Sequence, residues 1–195
     1  MNIAWILLYT LITHGLEIVI FFKVDGIGIT FERIFKAFLF KILLAFVFLM
    51  IEYLVGYNYL FYFMGPLYGI GLSFLLLRGL PKKLLFFYGL FPMILVNLFY
   101  RGVFYFVLPF WGQEIVDKVS NPIFLLMTIF VCFIVLVFLK WLDYDFTNLR
   151  KEILDKGFQK FLTTINWIMG AYYLVMQSLS FFEYEQGIQS TTVRH

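Results

Sequence analysis

The length of the apolar runs constrains this chain more than any other feature. From Leu84 to Leu108 the sequence continues for 25 residues with Asn97 and Arg101 as its only strongly polar side chains. A hydrocarbon core about 30 Å thick is crossed by about 20 residues of helix. Six segments of this kind are read, over about 3–22, 35–55, 59–77, 84–108, 121–140 and 161–182. They are continuous rather than alternating, and a spanning segment must satisfy its own backbone groups, so helix is the expected state. The composition agrees: 63% hydrophobic and 14% charged, against roughly a half and a quarter in soluble domains. The expected fold class is all-α, a polytopic transmembrane helix bundle of about six spans. It occupies 1–182 and is followed by a short tail, 183–195.

The cationic side chains orient the bundle. Lys23, Arg33, Lys36 and Lys41 lie in or beside the first connection; Arg78, Lys82 and Lys83 lie in the third; Lys140, Arg150, Lys151, Lys156 and Lys160 lie in the fifth. The second connection has none and the fourth only Lys118. The positive-inside rule then puts the odd connections in the cytoplasm and the N-terminus outside. The first segment lacks a basic leader and a small-residue cleavage site, so it is expected to remain as a span of a multi-pass plasma-membrane protein. Six spans that begin outside also end outside, which makes the tail extracytoplasmic.

Charged groups at membrane depth need a reason, since a central arginine costs about 3 kcal/mol or more. Arg101 is expected roughly 10 Å below the outer boundary. Three readings remain open for it: snorkelling outward, pairing with Glu52 of helix two with Asn97 one turn away, or direct contact with a ligand. His14 and Glu17, three apart on helix one, form a polar pair suited to packing or to proton relay, with Lys36 and Lys41 within reach of Glu17. A metal site needs more ligands than this pair, and the other histidine is His195, so no metal is expected. Cys132 is the single cysteine, which excludes an internal disulfide.

"GLSF" (71–74) matches the loose pattern of an intramembrane serine protease, but His14 is the sole intramembrane base candidate and lies in the first span. "GPLYG" has the spacing that lets helices approach closely, and its Pro66 is a candidate kink. On the outer side, Trp111, Tyr57 and Tyr59 could floor a peptide-binding surface. Glu114 and Asp117 give that side a mildly acidic balance suited to a cationic ligand. In the fifth connection, the Leu149–Ile153 spacing suggests a surface-lying helix. The sequence has no P-loop, kinase glycine loop or HExxH motif, no catalytic residues are assigned, and no nucleic-acid partner is expected.

"PLYGIGLSFLLLRGLPKKLLFFYGLFPMILVNLFYRGVFYFVLPFWGQ", and later "LRKEILDKGFQKFLTTINW" with "AYYLVMQSL", resemble the sensor region of streptococcal peptide-pheromone receptor histidine kinases. The nearest likeness is to the receptors of bacteriocin-like peptide (Blp) loci, relatives of the competence-pheromone receptors. The marks are "PLY", the basic inner turn, "FYGLFP" and the arginine of "LFYRGVFYF". The resemblance implies a homodimeric sensor in the lipid bilayer that binds a secreted peptide pheromone. Its signal would pass to a response regulator controlling bacteriocin genes. Glu52, Asn97, Arg101, Trp111, Glu114 and Asp117 are the candidates for recognition or coupling. Family members continue through a seventh span into a phosphoaccepting helix and an ATP-binding kinase domain. The phrase "FRHDY" of that helix is only superficially echoed by "TTVRH", so His195 is not read as the phosphoacceptor and a truncated sensor portion, without a cofactor of its own, is expected. The competing reading is a small self-contained membrane protein, either a transporter subunit or a bacteriocin-immunity factor.

Overall fold

A computed structural model describes residues 3–55, 63–111, 122–143 and 145–192. Every regular element among them is helical. The helices are α1 (Ile3–Asp25), α2 (Phe31–Val55), α3 (Met64–Leu76), α4 (Lys82–Trp111), α5 (Pro122–Leu142), the short α6 (Leu149–Glu152) and α7 (Lys156–Thr192), with a 3₁₀ turn at Phe146–Asn148 before α6. Each expected span has its helix, and α6 falls where the surface helix of the fifth connection is expected. α7 continues to Thr192, well past the expected end near 182.

Among the described residues, three stretches are long and apolar enough to cross a membrane: Phe31–Ile51, Lys82–Val103 and Leu125–Leu142. Their outward sides are also apolar. Ile42 and Phe46 of α2 and Phe133 of α5 are each more than 60% exposed, a surface that a protein in water seldom presents over so wide an area. The chain thus has the helices and the apolar exterior of a membrane protein.

Local chemistry explains several helix ends. α2 starts at Phe31, four residues before the expected 35, because Thr30 Oγ1 accepts the Arg33 backbone N–H at 3.4 Å and Glu32 occupies the first turn. α3 begins at Met64, so Pro66 lies in the first turn, where its missing N–H costs nothing; no kink is required. Asp155 caps α7, its carboxylate accepting the N–H groups of Gly157 and Phe158 at 3.1 and 3.0 Å. α1 ends in a left-handed Gly26 (φ +63°), and Ile27 N–H returns to the Phe22 carbonyl at 2.9 Å. That pattern satisfies carbonyls the helix leaves open.

The contacts divide the chain into two compact units interleaved in sequence, Met1–Phe38 with Phe91–Glu152 and Leu39–Leu90 with Ile153–His195. In unit one, Ile20 and Val24 of α1, Leu95 of α4, and Cys132, Val135 and Leu139 of α5 form a closed apolar cluster. Phe91 of α4 meets Phe146 beyond the end of α5, while Phe99 meets Phe138 within it. α4 therefore runs antiparallel to α5. The end of α1 reaches the segment just after α5, since Thr147 Cγ2 occupies the space where a Gly26 side chain would begin. α1 and α5 accordingly run parallel, and their C-terminal ends share one side of the unit.

In unit two, α3 and α4 form an antiparallel hairpin. A Cβ on Gly89 would lie 2.5 Å from the Ile70 Cα, so the two backbones touch there. Gly69, the second glycine of "GPLYG", takes part in this approach, whereas Gly65 has nothing within 4 Å of a Cβ position. Phe40 of α2 stacks on Tyr68 of α3 with centroids 5.9 Å apart, and Lys41 Nζ lies 4.8 Å from the same ring's centroid.

Candidate functional site

Asn97 and Arg101, expected on one face of helix four, lie on adjacent turns of α4. Arg101 Nε donates to Asn97 Oδ1 at 3.1 Å, and both side chains are partly buried. The spacing of four residues aligns them on one helix face, and the amide oxygen gives the guanidinium an acceptor. Glu52 sits in the last turn of α2 with its side chain outside the described set, as is that of Trp111 at the end of α4. Glu114 and Asp117 lie outside the described residues altogether. Of the six recognition candidates, the structure therefore joins Asn97 to Arg101.

His14 Nδ1 and Glu17 Oε2 of α1 approach to 3.3 Å and are both part-buried. This is the expected i, i+3 pair. The two lysines considered for Glu17 have other contacts: Lys36 pairs with Glu32 on α2, and Lys41 rests on Tyr68. Ser73 of "GLSF" is fully buried, with its Oγ 2.7 Å from both the Ile70 and the Leu85 carbonyl oxygens. Its hydroxyl is a tie between α3 and α4, committed to backbone acceptors rather than poised for attack.

Two further features escaped the sequence reading. The first is a latch where α1 ends, in unit one. Arg150 Nη2 donates to the Asp25 carbonyl oxygen, while the Asp25 carboxylate is fully buried and neither of its oxygens has a hydrogen-bond partner. Burial pushes the Asp25 carboxyl well above the usual carboxylate range, and the nearby Arg150 charge only partly offsets it. An acid set among basic residues at a helix end was the available signal, but Thr147 and Arg150, which the structure brings to that end, lie more than 120 positions away.

The second is a cavity of about 820 Å³ within unit two, lined by α2, α3, α4 and α7 together with Phe63. Its wall is carbon: Phe48, Ile51, Leu67, Ile70, Leu90 and Leu174 among others. Lys82, Lys83, Thr163 and Asn166 also contribute to the lining, near the starts of α4 and α7. Asn166 Nδ2 donates to the Lys83 carbonyl at 2.8 Å, joining the first turn of α4 to α7, while Asn166 Oδ1 is buried without a partner. A cavity of this size is in the range that takes a small-molecule or lipid-like ligand. Among the described residues, no cluster of three or more His, Cys, Asp or Glu side chains could hold a metal ion.

Compared with family models, with curated proteins and with solved structures, the chain matches none.

Proposed function

We propose that this chain is the membrane-embedded sensor region of a two-component histidine kinase. In this reading it detects a secreted peptide pheromone and signals to a response regulator that controls bacteriocin production. The observation that carries the reading is the ordered run of segments from "PLYGIG" through "LFYRGVFYF" to "AYYLVMQSL". The helix directions support it in kind. Parallel α1 and α5 with antiparallel α4 is the alternation of consecutive spans, whichever side the first begins on, and the two connections that meet at the Asp25–Arg150 latch are both rich in lysine and arginine.

The internal polar groups also suit a packed sensor better than a conduit. Ser73 ties two helices through their backbones, and Asn97 supports Arg101 on its own helix. In a pore such groups would converge on one path at mid-membrane. Peptide binding at the outer face, near Trp111, Glu114 and Asp117, would act by favouring one helix arrangement over another, and only by as much as its affinity differs between them. The kinase that reads the arrangement would use ATP and act as a dimer in the plasma membrane.

The test is genetic and quantitative. In the host strain, deleting the gene for this chain should abolish the response of a bacteriocin-promoter reporter to that strain's own secreted peptides. Neutralising Glu114 and Asp117 should shift the dose curve to higher peptide without lowering its plateau. A reporter that responds equally well in the deletion strain would remove the proposal.

A further inference from the structure

We propose that the cavity of unit two binds one anionic glycerophospholipid, its phosphate held by Lys82 and Lys83 and an acyl chain lying along the carbon wall. The cavity's wall is almost entirely carbon, as an acyl chain requires, and the exposed Lys82 and Lys83 at the start of α4 stand in its lining, beside the Asn166 that bonds the Lys83 carbonyl. Its length fits as well. From Thr163 to Leu174 the α7 wall rises about 16 Å at about 1.5 Å per residue, which is close to half of a hydrocarbon core about 30 Å thick.

The two lysines are suited to a lipid headgroup. Lys82 and Lys83 are exposed, and neither has an acidic partner among the described residues. Basic pockets between membrane helices attract anionic headgroups for this reason. Asn166, which lines the cavity, is tied to the Lys83 carbonyl. Beside it Trp167 is 77% exposed, as expected of an indole at the level of the headgroups. A peptide is the poorer occupant. It would bring a backbone N–H and carbonyl at every residue against a wall unable to satisfy them, and unpaired polar groups in an apolar site are costly. The orientation argued above places the lysines at the cytoplasmic leaflet, but the site itself does not depend on that orientation or on any pheromone.

The experiment is native mass spectrometry of the 195-residue chain in a neutral detergent, titrated with phosphatidylglycerol, with phosphatidylcholine or with inorganic phosphate. Phosphatidylglycerol should be retained about tenfold better than phosphatidylcholine, the scale of effect expected from two lysines near a headgroup, and phosphate should not displace it. The K82Q/K83Q double variant should lose that preference while still binding both lipids weakly. Gly170→Leu should reduce retention of both lipids with little change in the thermal midpoint, because a Cβ there meets nothing within 4 Å and the added side chain takes up cavity space. Equal retention of the two lipids by the unaltered chain would overturn the proposal, as would a preference that survives in K82Q/K83Q. Displacement by phosphate would reduce the site to an anion site, and a co-purifying peptide in the cavity would replace the lipid altogether; either result defeats the assignment.

Discussion

Unit one joins α1, α4 and α5 through bulk, with Ile20, Val24, Leu95, Val135 and Leu139 closed around Cys132. Unit two joins α3 to α4 through the lack of it, because Gly89 lets the Ile70 backbone come within van der Waals reach. The helical glycines of unit one make no comparable contact: Gly15 and Gly102 have nothing within 4 Å of a Cβ position. Lipid tails are as apolar as leucine, so neither unit gains from hiding hydrocarbon from water; close packing and hydrogen bonds hold membrane helices together. The two units spend these forces differently. Unit one packs an apolar cluster between its helices, whereas unit two combines a tight backbone seam with a cavity beside it.

The strongest way to break this contrast is to place a side chain in the seam. Gly89→Val should cost about 3 kcal/mol or more, because the clash is with backbone that cannot rotate away. Gly102→Ala should be nearly silent in the same mixed-micelle unfolding assay. Similar losses at the two positions would mean that the helices of unit two do not meet as described. Next in size is Leu139→Ala in the apolar cluster of unit one, expected to cost about 2 kcal/mol. That lies at the low end for buried leucine, because packing is lost but transfer from water is not regained. A neutral result would show that the core is looser than its burial implies.

A third change sharpens the comparison at the latch where α1 ends, in unit one. The Asp25 carboxyl holds its proton more tightly in the folded protein than in the unfolded chain, owing to burial opposed in part by Arg150. Stability should therefore fall as pH rises from the ordinary carboxylate value, about 4, through the raised folded value. Asp25→Asn should flatten that slope in thermal unfolding between mildly acidic and neutral pH. A slope unaltered by the substitution would assign it to another group. The smallest expected effect is at Ser73→Ala, about 1 kcal/mol, typical of a hydrogen bond between membrane helices. It should loosen the seam without emptying it, so a loss as large as that of Gly89→Val would put the hydroxyl, not the backbone contact, at the centre of the hairpin.

Much of the architecture is legible in the residues themselves. Apolar length and basic turns mark where helices run and where they stop, and the i, i+3 and i, i+4 spacings place His14 beside Glu17 and Asn97 beside Arg101. These are local properties, set within a few turns of one helix. Pro66 shows how far local reading extends: it suggests a kink, yet its place in the opening turn of α3 makes it harmless. The protease-like "GLSF" shows the limit more sharply, since the role of Ser73 depends on the Leu85 carbonyl, which belongs to the next helix.

What the sequence alone determined, then, is a chain of apolar helices with one preferred charge asymmetry. The tertiary structure decided which of their faces meet: Gly89 against Ile70, Thr147 against Gly26, Arg150 on the Asp25 carbonyl, and the four-helix wall around the cavity. The reason is physical. A helix that is apolar all round has no moment to mark its contact face, so lipid and neighbouring helix look alike to it until the side chains are fitted together in three dimensions.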